Sequence, residues 1–338
     1  MATGRVSYIT RWDVDQTYLR LETAAVRELW VRIVERPDRR RSVPGAATVL
    51  REVAAAGSRI HIISSSPRQF RSALERKLSL DRIRWDELTL DPSRLHLLPI
   101  RRYTLREQLG HRLMALLETR AQEQRSSDPS DVLPEVLVGD DAGADAFAYS
   151  LYAAVLSGRV DRSGLKRILA RAHVQGARID RCLDALAKLD HTPSVERILI
   201  HLDRQTPPSA YDPHGVRLVP FYNFWQAALV LLEDNRLRPA SVVRVASAFV
   251  VRHGFDHDSL ARSYLDLLRR GHAHGAAAEP LRRAVDELRG RGQPLTYLGA
   301  LERTCELVAR YAADPPERVV RRSGDLDFLA LARGLERR

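Results

Sequence analysis

The residues best suited to chemistry in this sequence are acidic and closely spaced. Asp13-Val14-Asp15 lies near the start and Asp140-Asp141 with Asp145 near the middle, and Ser64 heads a Ser64-Ser65-Ser66 run between them. Each group follows a short apolar run of strand type. Carboxylates gathered within a few ångströms repel one another, so one of them must take up a proton unless a cation is shared among them. Mg²⁺, a hard ion that accepts one or two carboxylates together with water and phosphate oxygens, suits such a cluster. The spacing of Asp13 and Asp15 fits a loop at a strand end, where one carboxylate reaches the ion while the other points across the site.

That chemistry requires elements that bring the three strand ends together. Val6-Ser7-Tyr8-Ile9 is β-prone and leads into Trp12-Asp13-Val14-Asp15. Pro44-Gly45 precedes a helical pattern over Ala46 to Ala56, with Gly57 as its stop. Arg59 to Ile63 reads as a buried strand ending in Ser64-Ser65-Ser66-Pro67, followed by a helix over Phe70 to Leu78. Thr104 to Arg120 is a long helical pattern, Gln122 to Pro134 a polar loop, and Val136-Leu137-Val138 a second buried strand closed by Gly139-Asp140-Asp141. Alternating strands and helices predict an α/β domain with a doubly wound parallel sheet, which binds ligands at the carboxyl ends of its strands. If the three strands are neighbours, Asp13, Asp15, Ser64 and Asp140 share one crevice.

The second half shows helical spacing near 163–173, 177–189, 193–205, 220–234, 239–253, 257–270, 278–289 and 294–312. This predicts an all-α helical domain, with a boundary that divides the chain into 1–157 and 158–338. The stripe Phe221, Phe224, Trp225, Leu229 and Leu232 is expected to pack as core. His253, His257, His272 and His274 lack the carboxylate set of a zinc site.

Composition narrows the function classes. The 338 residues include 54 basic and 43 acidic side chains, a formal charge of +11. All but three of the basic residues are arginine; the lysines are Lys77, Lys166 and Lys188. Residues 1–158 are nearly balanced at +3, and the remaining +8 lies in the second half. Nucleic-acid binding has only bulk charge behind it and is not expected, whereas the basic half suits a phosphorylated partner or an anionic lipid surface. Cys182 and Cys305 cannot build a disulfide framework. No stretch approaches the roughly 20 apolar residues of a transmembrane segment, so a soluble, cytoplasmic protein is expected.

The ordered set Asp13-x-Asp15-x-Thr17, a hydrophobic strand ending in Ser64, and Gly139-Asp140-Asp141-x-x-x-Asp145 resembles motifs I, II and IV of the haloacid dehalogenase (HAD) superfamily of phosphatases. Val43-Pro44-Gly45, Ile63-Ser64-Ser65-Ser66-Pro67 and Val138-Gly139-Asp140 with Asp145-x-x-x-Tyr149 are similar to one branch, the phosphatidate phosphatases and their bacterial relatives. The resemblance covers roughly residues 5–156. It implies a HAD-like, Rossmann-like sheet with a minimal cap, because Tyr18 to Val43 is too short for a large one. It implies Asp13 as the nucleophile that becomes an aspartyl-phosphate, and Asp15 as the acid and then the base. Ser64 would hydrogen-bond a phosphoryl oxygen, Thr17 would fix the loop, and Ser65 and Ser66 would lie at the substrate. Mg²⁺ would be held by Asp13, Asp140 and the Asp15 carbonyl, with Asp141 or Asp145 orienting a metal-bound water. Motif III carries a lysine in the family, and the matching place here is His111-Arg112-Leu113, which puts Arg112 in the lysine's role. The implied activity is a Mg²⁺-dependent phosphomonoesterase acting on a phosphorylated substrate, a lipid phosphate or another bulky one. The alternative is a catalytically impaired protein that serves as a binding or regulatory module.

Overall fold

A computed structural model of the chain describes residues 7–15, 17–18, 42–91, 104–126, 132–290, 296–313 and 326–334. Its centre is a sheet of six strands: β1 (Tyr8–Asp13), β2 (Ser58–Pro67), β3 (Glu87–Asp91), β4 (Glu135–Asp140), β5 (Val195–His201) and β6 (Leu218–Phe221). The order is β3-β2-β1-β4-β5-β6, and every neighbouring pair is parallel. This is the expected α/β sheet of Rossmann-like type, and β1 lies between β2 and β4 as the converging motifs require.

Helices cover both faces, so the central strands β1 and β4 are buried on both sides, polar residues included. One face packs against α1 (Ala46–Ala55), α2 (Arg71–Leu80), α7 (Phe224–Glu233), α8 (Pro239–His253), α9 (His257–Arg269), α10 (Ala278–Gly290) and α11 (Thr296–Ala313). The other packs against α3 (Leu105–Ser126), α4 (Asp145–Leu156), α5 (Arg162–Arg171), α6 (Gly176–Leu186) and α12 (Phe328–Gly334). Period-two alternation along β1 sends Tyr8 and Trp12 to the first face and Arg11 and Asp13 to the second, where α3 meets them.

The expected all-α second half is corrected by this sheet. Residues 195–201, expected within a helix, and residues 218–221, of which 220 and 221 were expected to begin one, are strands of the same sheet as β1 to β4. Only Ile198, Leu199 and Ile200 form an unbroken apolar run in β5, and a run that short fits a helix or a strand equally well. β6 carries Pro220, which argues against an interior strand but is tolerated at the edge that β6 occupies. The helices that follow residue 158 divide between the two faces of the sheet, and those from Phe224 to Ala313 pack mainly on one another. Phe221, Phe224 and Trp225 are core, as expected, with Phe221 on β6 and the other two on α7. The strand β3 had no counterpart in the sequence reading. Most of the segment between Tyr18 and Val43 lies outside the described residues.

No helix among the described residues is long and apolar enough to cross a membrane.

Candidate functional site

The site is set by register. Asp13 ends β1 and pairs in register with Ile63 of β2, so Ser64 comes next on the adjacent strand. Trp12 pairs with Val138 of β4, which brings Asp140 beside Asp13 from the other side. Asp145 opens α4, and its Oδ2 accepts the Asp140 N–H at 2.9 Å, a contact that suits a carboxylate at a helix N-terminus. One turn later, Tyr149 donates its hydroxyl to the Val138 carbonyl at 3.2 Å and holds the helix on the strand. A Cβ on Gly139 would run into Asp145, with that residue's Cβ and Cγ 2.7 Å away, so the bare glycine lets the helix start this close.

Ligand atoms of Asp13, Asp140 and Asp145 come within 4.8 Å of one another, and all three residues are buried. Asp13 Oδ2 accepts from Arg112 Nη2 at 2.6 Å. Arg112 Nε lies 2.5 Å from Asp145 Oδ1, a charge contact without hydrogen-bond alignment. Nη1 donates to Gln108 Oε1 at 3.1 Å, from the residue one turn earlier on α3. Arg112 is 2% exposed, so it is a member of the cluster and not a solvated surface arginine.

Burial pushes the Asp13 carboxyl well above the usual carboxylate range, and the charges of Asp145, Asp15 and Asp140 add to it while Arg112 opposes. Burial and the Asp145 charge bring Asp140 up to about 8. Burial raises Asp145 too, against Arg112. Burial alone would depress Arg112, but Asp13 and Asp145 override it and keep the guanidinium charged. One guanidinium therefore faces three buried carboxylates. Asp13 Oδ1 and Asp145 Oδ1 accept no hydrogen bond from any N–H or O–H among the described residues. Asp13 Oδ1 without a donor, and Asp145 Oδ1 with only the charge contact to Arg112, stand beside a third carboxylate and make a donor set that fits a hard divalent cation such as Mg²⁺.

The remaining predicted residues fall into distinct places. Asp15 is half-buried and turns toward β2, where it accepts from the Ser64 hydroxyl at 3.0 Å and the Ser65 N–H at 2.6 Å. Ser64 Oγ also accepts the Ser66 N–H at 3.1 Å, within the irregular end of β2 where the register against β3 shifts. The Ser64 hydroxyl is thus committed to Asp15. Thr17 is buried and donates to Asp140 Oδ2 at 3.2 Å, tying the loop after β1 to β4. Of the two alternatives for the supporting acid, Asp145 joins the cluster. Asp141 accepts the Arg204 and Thr206 N–H groups, both at 2.9 Å, and fastens the loop after β5.

No protein-family model matches this chain, and neither does any curated protein. The reading of the site therefore rests on its own geometry.

Sequence reasoning gave no role to Gln108, which orients Arg112, and none to His111 as a support. His111 is buried, and its Nε2 lies 3.0 Å from the Ser64 carbonyl. Burial brings its pKa from 6.5 down to about 4, so the ring is neutral and Nε2–H is the donor. An unfolded chain would protonate this histidine below about pH 6.5 while the folded one does not, so stability falls as the pH drops from there toward 4. His111→Gln retains a donor for Ser64 and cannot take the proton. Between pH 7 and pH 5 the variant should lose about 2 kcal/mol less stability than the parent. Denaturant unfolding at the two pH values reads this directly, and equal losses would show that His111 does not carry the effect.

Proposed function

We propose that the protein is a Mg²⁺-dependent phosphomonoesterase of haloacid dehalogenase type that works through an aspartyl-phosphate on Asp13. The observation that carries this reading is the free, buried Oδ1 of Asp13, set among Asp140, Asp145 and Arg112 at the carboxyl edge of a parallel sheet. Asp13, Asp140 and Asp145 would hold the ion, which when bound offsets the charge of the carboxylates and of the incoming phosphate.

The chain's own residues account for the other steps. Asp13 attacks phosphorus, and the P–O bond to the substrate alcohol breaks as the acyl-phosphate bond forms. Asp15, half-buried beside the cluster, gives a proton to the leaving oxygen. Its carboxylate then takes a proton from water, which attacks phosphorus, releases phosphate and regenerates Asp13. Ser64 and Ser65 hold Asp15 in line for both transfers. Arg112 offers its fork to two phosphoryl oxygens in place of the family's lysine. A bulky substrate, a lipid phosphate presented at an anionic surface among them, is the expected class.

A second reading, a binding module without turnover, is favoured by the same Arg112, because a guanidinium clamped on Asp13 restrains a nucleophile. Phosphate release from an aryl phosphate and from lipid, sugar, nucleotide and protein phosphates separates the two. Release that requires Mg²⁺ and stops with EDTA is expected. Failure to release phosphate from every substrate with Mg²⁺ present would leave the binding module.

A further inference from the structure

We propose that Arg112 is a resident cation of the carboxylate cluster and competes with the divalent ion for the oxygens of Asp13 and Asp145. The inference rests on the metal site of the preceding section and concerns how tightly that site binds.

The guanidinium reaches two carboxylates at once, Asp13 Oδ2 at 2.6 Å and Asp145 Oδ1 at 2.5 Å. The planar fork does this with two separate nitrogens held in fixed geometry, whereas an ammonium concentrates its charge and its donors at a single atom on a flexible stem. Gln108 fixes the third nitrogen, and Gly143 leaves room for both side chains, because a Cβ there would lie 2.7 Å from Gln108 Oε1 and 2.8 Å from Arg112 Nη1. Asp140 is already occupied by the Ala142 N–H at 2.6 Å and the Thr17 hydroxyl at 3.2 Å. The cluster is therefore partly neutralised from within the chain. The misaligned contact between Arg112 Nε and Asp145 Oδ1 is its loosest link, and an ion that binds Asp145 must draw on that oxygen.

Competition of this kind has two consequences. The protein keeps its site assembled without metal, and it binds the metal less tightly than the three carboxylates alone would. A unit charge about 5 Å from an ion, acting through an effective dielectric near 20, changes affinity by on the order of a hundredfold or more. Linkage makes the effect reciprocal, so the bound ion loosens Arg112 from Asp145 and leaves the guanidinium readier for a phosphate.

Equilibrium binding of Mn²⁺, followed by its electron paramagnetic resonance signal, tests this on the full chain. Arg112→Met should bind Mn²⁺ at least about tenfold more tightly than the parent, with Arg112→Lys in between at threefold or more. Asp145→Asn should weaken binding by about tenfold or more. Circular dichroism checks folding, and if the methionine variant does not fold, the lysine variant decides. Affinities for both Arg112 variants within twofold of the parent, or weaker, would overturn the competition, as would an absence of Mn²⁺ binding in every variant. Phosphate release is read separately. An inactive protein whose affinities follow the expected order retires the phosphatase reading alone, whereas an active one with unchanged affinities retires the competition alone.

Discussion

Replacing Asp13 with asparagine is expected to abolish phosphate release while leaving the protein folded. An amide oxygen is a far weaker nucleophile than a carboxylate, and removal of a covalent nucleophile typically costs about 10³–10⁶ in turnover. Asparagine is nearly isosteric with aspartate, and its amide can still accept from Arg112. The substitution also removes a charge that burial and the neighbouring Asp145, Asp15 and Asp140 all disfavour. The metal-free variant should therefore unfold at the same temperature as the parent or higher. Initial rates with Mg²⁺, together with thermal unfolding in EDTA, read both halves of the expectation. Turnover within tenfold of the parent would end the case for Asp13 as nucleophile.

The largest loss of stability is expected two residues earlier on the same strand. Arg11 is fully buried and bonds to Glu135, to Glu123 at 2.7 Å and to Thr119 at 2.7 Å, with His61 Nδ1 3.1 Å away. Glu135 in turn accepts from Ser194 at 2.6 Å and from Tyr152 at 3.0 Å, and Arg120 lies 3.7 Å from both glutamates. Two arginines balance two glutamates around a histidine that burial and Arg11 push down to about 3, so the ring stays neutral. Arg11→Met leaves Glu135 with only distant compensation in a medium where an unpaired charge is expensive. The expected cost is about 3–5 kcal/mol. The exposed pair of Arg181 with Glu118 has bonds of 2.8 and 2.7 Å, yet Arg181→Ala should cost no more than about 1 kcal/mol, because water screens it. Urea unfolding of the two variants side by side measures the contrast, and similar losses would mean that burial does not set the value of these pairs.

Much of the site was legible because its signals are local. A short apolar run ending in Asp, Ser or Gly-Asp needs only neighbouring residues to be recognised, and β1, β2 and β4 carry Asp13, Ser64 and Asp140 as that pattern predicts. The helix over 239–253 begins and ends where its spacing predicts, with Pro239 at its first position and Gly254 after its end. What could not be read depends on contacts distant in sequence. Asp141 and Asp145 are the same residue type, and their roles differ because the loop after β5 comes back to Asp141 while Asp145 opens α4 beside Asp13. Arg11 is one arginine among many, and only the approach of α3 and β4 makes it an anchor. β5 and β6 were missed because three apolar residues and a proline say little until the sheet edge that receives them is known.

The order of the strands also bears on how the chain is made. β4 is buried throughout, with β1 on one side and β5 on the other. Residues 141–194 must leave the ribosome before β5 begins, which at about 5–20 residues per second takes roughly 3–11 s. Over that interval the outer edge of Glu135 to Asp140 has no partner strand, while α4 forms from the chain just behind it. An open, apolar strand edge is what chaperones and other nascent chains attach to. Asp140 sits at the end of that edge, so its strand is exposed until β5 pairs with it. The strand that carries one acid of the cluster thus owes its second neighbour to a part of the chain made more than fifty residues later.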